Sequence, residues 1–169
     1  GVPSPLPGIP APLPEAPSLV AWSVSIPSPP SVSPLVATDV VVAAYLPDTV
    51  AAFRRADGRQ VWRAQLAPDQ PLTADGPLVY IAAGEAVHAL RLADGSVAWR
   101  APTGTLSAPP VARDGWLLTT AGGALTARRA ADGTAVWTAE SGPQREAGTI
   151  AGDMVVTPLV DGRLVARDL

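Results

Sequence analysis

The chain has 169 residues, 47 % hydrophobic and 16 % charged, enough for one domain with a sizeable core and too apolar for wholesale disorder. Its net charge of −3 argues against a nucleic-acid binder, which needs a basic face to neutralise phosphates. Having no Cys and only one His (His88), it is without disulfides, thiolate or poly-histidine metal sites and cysteine nucleophiles, and no apolar run reaches the roughly 20 residues of a membrane-spanning helix.

All 12 basic residues are Arg, and Lys and Asn do not occur. With abundant Ala, Pro, Gly and Val, this reads as the codon bias of a GC-rich genome, so no single Arg is evidence of function. The first residue is Gly1, which raises the expectation of a processed or excised N-terminus.

Residues 1–17 hold seven Pro, including Pro3, Pro5, Pro7, Pro10, Pro12 and Pro14, with one charge and no aromatic. Proline lacks the N–H and fixes φ, so this segment is expected as an extended, polyproline-like arm. It would be a semi-rigid linker, or a strand that docks on a partner.

Residues 18–169 carry a repeat. The phrases RRADGRQVW (54–62), RLADGSVAW (91–99) and RRAADGTAVW (128–137) each place an Asp-Gly turn shortly before a Trp. Trp22, Trp62, Trp99 and Trp137 recur at roughly 40 residues, the scale of a four-stranded propeller blade. Between them, short alternating runs such as PLVYIAAG and VHALRLADG are separated by Asp-Gly and Gly-Gly, the signature of strands joined by tight hairpins. No stretch shows a helical apolar period. The expected fold is therefore all-β, a small β-propeller with four blades of four antiparallel strands.

Complete phrases occupy about 31–65, 70–102 and 107–140, while residues 148–169 stop after a third strand. At the other end, SLVAWSV (18–24) is a lone Trp strand. The two defects are complementary, so the N-terminal strand is expected to close the last blade and remove open edges. Two copies forming an eight-bladed ring fit the termini equally well, and the ordered piece of a longer protein is a further alternative.

The repeat resembles that of the pyrroloquinoline-quinone-type propellers. The resemblance rests on Ala52, Ala89, Ala127 and Ala166 in the third strands, on Gly58, Gly95 and Gly133, and on the four repeating Trp. It implies a bacterial, extracytoplasmic protein. The family includes quinone-dependent dehydrogenases and non-catalytic members, among them the propeller lipoprotein of the outer-membrane β-barrel assembly machinery. The third-strand acid usual in the family is replaced here by Arg54, Arg91 and Arg129, and only Asp168 keeps it. The dehydrogenases resemble one another in a calcium site with Glu and Asn ligands and often a vicinal Cys pair, which this sequence lacks. The resemblance thus points to the non-catalytic branch, without cofactor or metal.

The repeating Trp are expected to pack between adjacent blades, and the Asp-Gly pairs to be turns. His88 is expected at the surface, on the strand face opposite the apolar side. No catalytic nucleophile, phosphate loop or paired-carboxylate site is seen. The candidate partner contacts are the Pro-rich arm, Trp116, which stands where other blades have Val40, Leu78 or Met154, and an Arg stripe that includes Arg54, Arg55, Arg91, Arg128 and Arg129. A scaffold or accessory subunit in the periplasm or cell envelope follows, reaching the membrane only through a partner or a removed anchor. Its alternatives are an outer-membrane assembly-factor-like propeller, which the missing lipidated N-terminal Cys opposes, and a small-ligand binder with a channel near Ser33, Thr73 and Ser107.

Overall fold

A computed structural model describes residues 19–142 and 148–169; the Pro-rich arm lies outside the described residues. The elements are strands throughout, gathered in four antiparallel sheets with sequential strand order. Blade 1 contains β1 (Pro30–Val36), β2 (Val40–Tyr45), β3 (Thr49–Arg54) and β4 (Gln60–Gln65). Blade 2 contains β5 (Thr73–Asp75), β6 (Leu78–Ala83), β7 (Ala86–Arg91) and β8 (Val97–Pro102). Blade 3 contains β9 (Val111–Arg113), β10 (Trp116–Ala121), β11 (Ala124–Arg129) and β12 (Ala135–Glu140). Blade 4 has three strands, β13 (Thr149–Ala151), β14 (Met154–Pro158) and β15 (Leu164–Asp168). This is the small all-β propeller that the repeat predicts.

The blades repeat in register as well as in order. Ala52, Ala89 and Ala127 pair with Trp62, Trp99 and Trp137, and each third–fourth strand ladder then breaks step at the same place. The residue passed over is the one before the tryptophan (Val61, Ala98, Val136), a β-bulge that adds local twist. Main-chain bonds across the base of each blade recur too: Arg55, Leu92, Ala130 and Leu169 donate to Asp39, Pro77, Gly115 and Asp153. Those bonds make Leu169 the fourth-blade counterpart of Ala130.

Blades stack face to face, so both faces of a blade are apolar. Blade 1 offers Val40, Val42, Ala44, Val50 and Ala52 to Val79, Ile81 and Leu90 of blade 2. Blade 2 offers Leu78, Tyr80, Ala82, Val87 and Ala89 to Leu117 of blade 3. Blade 3 in turn offers Leu118, Leu125 and Ala127 to Ile150 and Val155 of blade 4. The inner strands also touch: Ala112 N–H donates to Thr73 Oγ1 at 3.2 Å, and Gly115 N–H to Asp75 at 2.7 Å.

The expected closure of the last blade by the N-terminal strand is not made in this structure. Blade 4 remains three-stranded, and residues 19–25 belong to no strand. Instead Trp22 and Ile26 pack against Ala43, Tyr45, Ala51 and Phe53, the face of blade 1 that has no blade before it.

Candidate interaction surface

The Asp-Gly turns at the ends of the third strands build the first feature of one rim. Gly58, Gly95 and Gly133 have φ of 72°, 73° and 75°, a left-handed conformation that side chains resist. The preceding aspartates accept from backbone N–H groups two residues on: Asp57 from Arg59, Asp94 from Ser96 and Asp132 from Thr134, at 3.0, 2.9 and 2.8 Å. Hydrogen bonding to the charged form lowers all three carboxyl pKa values. The backbone bond dominates for Asp57 and Asp132, and the Ser96 side chain for Asp94.

Each of these turns receives a tryptophan from the preceding strand set. Trp22, Trp62 and Trp99 fill the space where a β-carbon on Gly58, Gly95 or Gly133 would stand, with the nearest ring atom 2.7 Å from that position in every case. Their indole N–H groups donate to the carbonyls of Arg55, Leu92 and Ala130 at 2.8, 2.8 and 3.0 Å. The glycine thus has two functions: it admits the left-handed turn, and it leaves a seat for the ring. Trp137 departs from the pattern. Its indole N–H is buried without an acceptor among the described residues, although Leu169 stands at the matching position.

Between blades 1 and 2, the same rim opens into a groove of about 560 Å³. Thr38, Asp39, Val40, Arg54 and Val61 line one wall, and Pro77, Leu78, Arg91 and Leu92 the other. Its floor is apolar and its lips carry two guanidinium groups and one carboxylate. Arg54 is held by Asp57 at 3.2 Å, and Arg91 by Ser96 Oγ at 3.2 Å, both in exposed positions. Such exposed pairs hold a side chain weakly, so both arginines can turn to a ligand.

The other candidate residues separate. Arg129 is exposed at the matching position on blade 3, paired across the ladder with Trp116, as Arg54 is with Val40 and Arg91 with Leu78. Trp116 packs, partly buried, against the Leu118–Ile150–Val155 cluster between blades 3 and 4. Arg128 does not join a rim stripe. It points to the opposite face of β11, where it donates to Thr119 Oγ1 and to the carbonyls of Gly133 and Pro102, and burial lowers its pKa. Arg55 donates to the Thr38 carbonyl at 3.3 Å.

His88 is half-buried and not a surface residue. It sits opposite Ile81 and Arg100, on the face that packs on blade 1; burial, then the charge of Arg100, lowers its pKa. The expectation failed because a propeller blade has two apolar faces, so alternation does not mark one as solvent. Of the proposed channel residues, Thr73 lies on an inner strand, whereas Ser107 precedes β9 and its N–H donates to Thr120. Sequence reading overlooked Tyr80, whose hydroxyl shares the Ala130 carbonyl with the Trp99 indole; desolvation raises its pKa to about 12. No cluster of His, Asp and Glu suited to a metal occurs among the described residues.

The architecture has clear counterparts. The crystal structure of BamB from Moraxella catarrhalis superposes with a TM-score of 0.76 at 21 % identity, over 88 % of this chain and 49 % of that one. The chain therefore spans about half the length of that relative. The computationally designed Ika4 protein matches with a TM-score of 0.73 at 12 % identity, over 89 % of this chain and 98 % of its own. A quinohemoprotein alcohol dehydrogenase, ADHIIG from Pseudomonas putida HK5, matches at 0.65 and 15 % identity, over 81 % of this chain and 29 % of that one. These likenesses establish a shared fold. No curated protein matches significantly by sequence. The family described as outer membrane protein assembly factor BamB, however, matches residues 46–169, all of blades 2 to 4 and the last two strands of blade 1. By that match the chain belongs to the BamB family of propellers.

Proposed function

We propose that this protein is a non-catalytic interaction subunit of an extracytoplasmic complex, working in the manner of an outer-membrane assembly factor. The observation that carries the reading is the rim groove between blades 1 and 2, an apolar floor flanked by Arg54 and Arg91. Its dimensions and chemistry suit an extended segment of a partner protein that carries an acidic residue, with apolar contact for affinity and the arginines for orientation. Membership of the BamB family supports this reading. Arg129 and Trp116 would extend the contact along the rim, and the Pro-rich arm at residues 1–17 would tether the propeller or dock beside it. Blades packed face to face through apolar cores suit such a role, because a preorganised surface loses little entropy on binding.

The test is the native mass of the protein in gently solubilised source cells. Migration within a large envelope assembly is expected, and an Arg54→Glu/Arg91→Glu double variant is expected to leave that assembly with its fold intact. A wild-type protein that migrates free, or a double variant that stays in the assembly, would reject the groove as the docking site.

A further inference from the structure

Three arginines stand at one register on successive blades. Arg54, Arg91 and Arg129 lie opposite Val40, Leu78 and Trp116 in their ladders. Their backbones are held alike. Each N–H donates across the turn, to the carbonyls of Arg59, Ser96 and Thr134 at 2.8, 2.9 and 2.9 Å. Each carbonyl accepts from the turn glycine, Gly58, Gly95 or Gly133, at 2.8 Å. The side chains are less committed: Arg54 and Arg91 use Nη1 alone, and Arg129 makes no side-chain hydrogen bond among the described residues. In blade 4 the same register carries Asp168, opposite Met154, so the basic track covers blades 1 to 3.

The spacing of this track selects the backbone of its ligand. Sheets packed face to face stand about 10 Å apart. The third strands pack in this way, with Val50 and Ala52 of β3 in one core with Leu90 of β7. A ligand in β conformation presents side chains to one face about 7 or 13 Å apart, and neither value fits. Two turns of helix fill about 800 Å³, more than the 560 Å³ of the groove. A polyproline helix presents every third side chain on one face, about 9 Å apart. It also needs no ladder partner, which suits a rim made of turns, and its rings suit the apolar floor at Val61, Pro77 and Leu78.

The geometry points to a polyproline-like segment of a partner protein, with an acidic side chain at every third residue, laid across Arg54, Arg91 and Arg129. This assignment rests on the groove as the docking site and names the chemistry of its occupant. Residues 1–17 of the chain itself hold a single charge, Glu15, and do not supply the pattern. Three contacts of modest individual strength on one preorganised ligand add up, because neither partner has to order itself.

Isothermal titration at low salt tests the spacing with two blocked synthetic peptides of identical composition. One is three Glu-Pro-Pro repeats; the other is Glu-Pro-Glu-Pro-Glu-Pro-Pro-Pro-Pro. The repeat peptide is expected to bind about tenfold more tightly, and Arg54→Gln, Arg91→Gln and Arg129→Gln should each weaken it about threefold. Equal affinities for the two peptides, no binding of the repeat peptide, or an unchanged affinity in Arg129→Gln would each overturn the inference. If the Arg54→Glu/Arg91→Glu double variant still leaves its native assembly, the groove survives that failure as the docking site. An assembly that retains the double variant rejects the groove itself.

Discussion

Replacing Gly95 by Ala tests whether the blades are held together by tryptophans seated on glycines. The new β-carbon would stand 2.7 Å from Trp62 Cδ2 and 2.8 Å from Cε3, well inside contact. Trp62 is only 6 % exposed, so the ring has little room to retreat. Two costs combine. A left-handed φ costs a non-glycine residue about 1 kcal/mol, partly offset by the smaller entropy of the unfolded alanine chain. Overpacking a fixed aromatic adds about 1–3 kcal/mol. Gly76→Ala isolates the first cost, since Gly76 has φ of 54° and nothing within 4 Å of its would-be β-carbon. Urea unfolding followed by tryptophan fluorescence should therefore give a loss of about 1 kcal/mol or less for Gly76→Ala and about 2–4 kcal/mol for Gly95→Ala, at similar m-values. Equal losses for the two variants would refute the seating argument and leave only turn strain.

The indole N–H groups give a second comparison. Trp62→Phe removes a donor to the Leu92 carbonyl and should cost more than Trp137→Phe, whose buried N–H has no acceptor among the described residues; a difference of about 1 kcal/mol is expected by urea titration. Tyr80 should make the fold sensitive to alkali. With its folded pKa raised to about 12 from an ordinary 10, its contribution is complete below pH 10 and lost as pH climbs toward 12, amounting to about 3 kcal/mol at most. Thermal melts between pH 8 and 12 should show a steeper alkaline decline for wild type than for Tyr80→Phe, and parallel curves would contradict it. The turn carboxylates act at the other end. Because Asp57, Asp94 and Asp132 have depressed pKa values, their support is present above the ordinary carboxylate pKa and fades as pH falls through the folded values. An Asp94→Ala variant should accordingly lose less stability than wild type between pH 5 and pH 2.

The amino-acid sequence by itself determined the blade: strand alternation, Asp-Gly turns and the Trp period are local signals, each read within one repeat. The tertiary structure decided what passes between blades. Trp22 reaches the Arg55 carbonyl, and Tyr80 and Trp99 share that of Ala130; these partners are separated by 33, 50 and 31 residues, and no local pattern pairs them. The half-burial of His88 and the inward turn of Arg128 have the same origin, since stacking makes both faces of a strand apolar and leaves alternation unable to choose an outside.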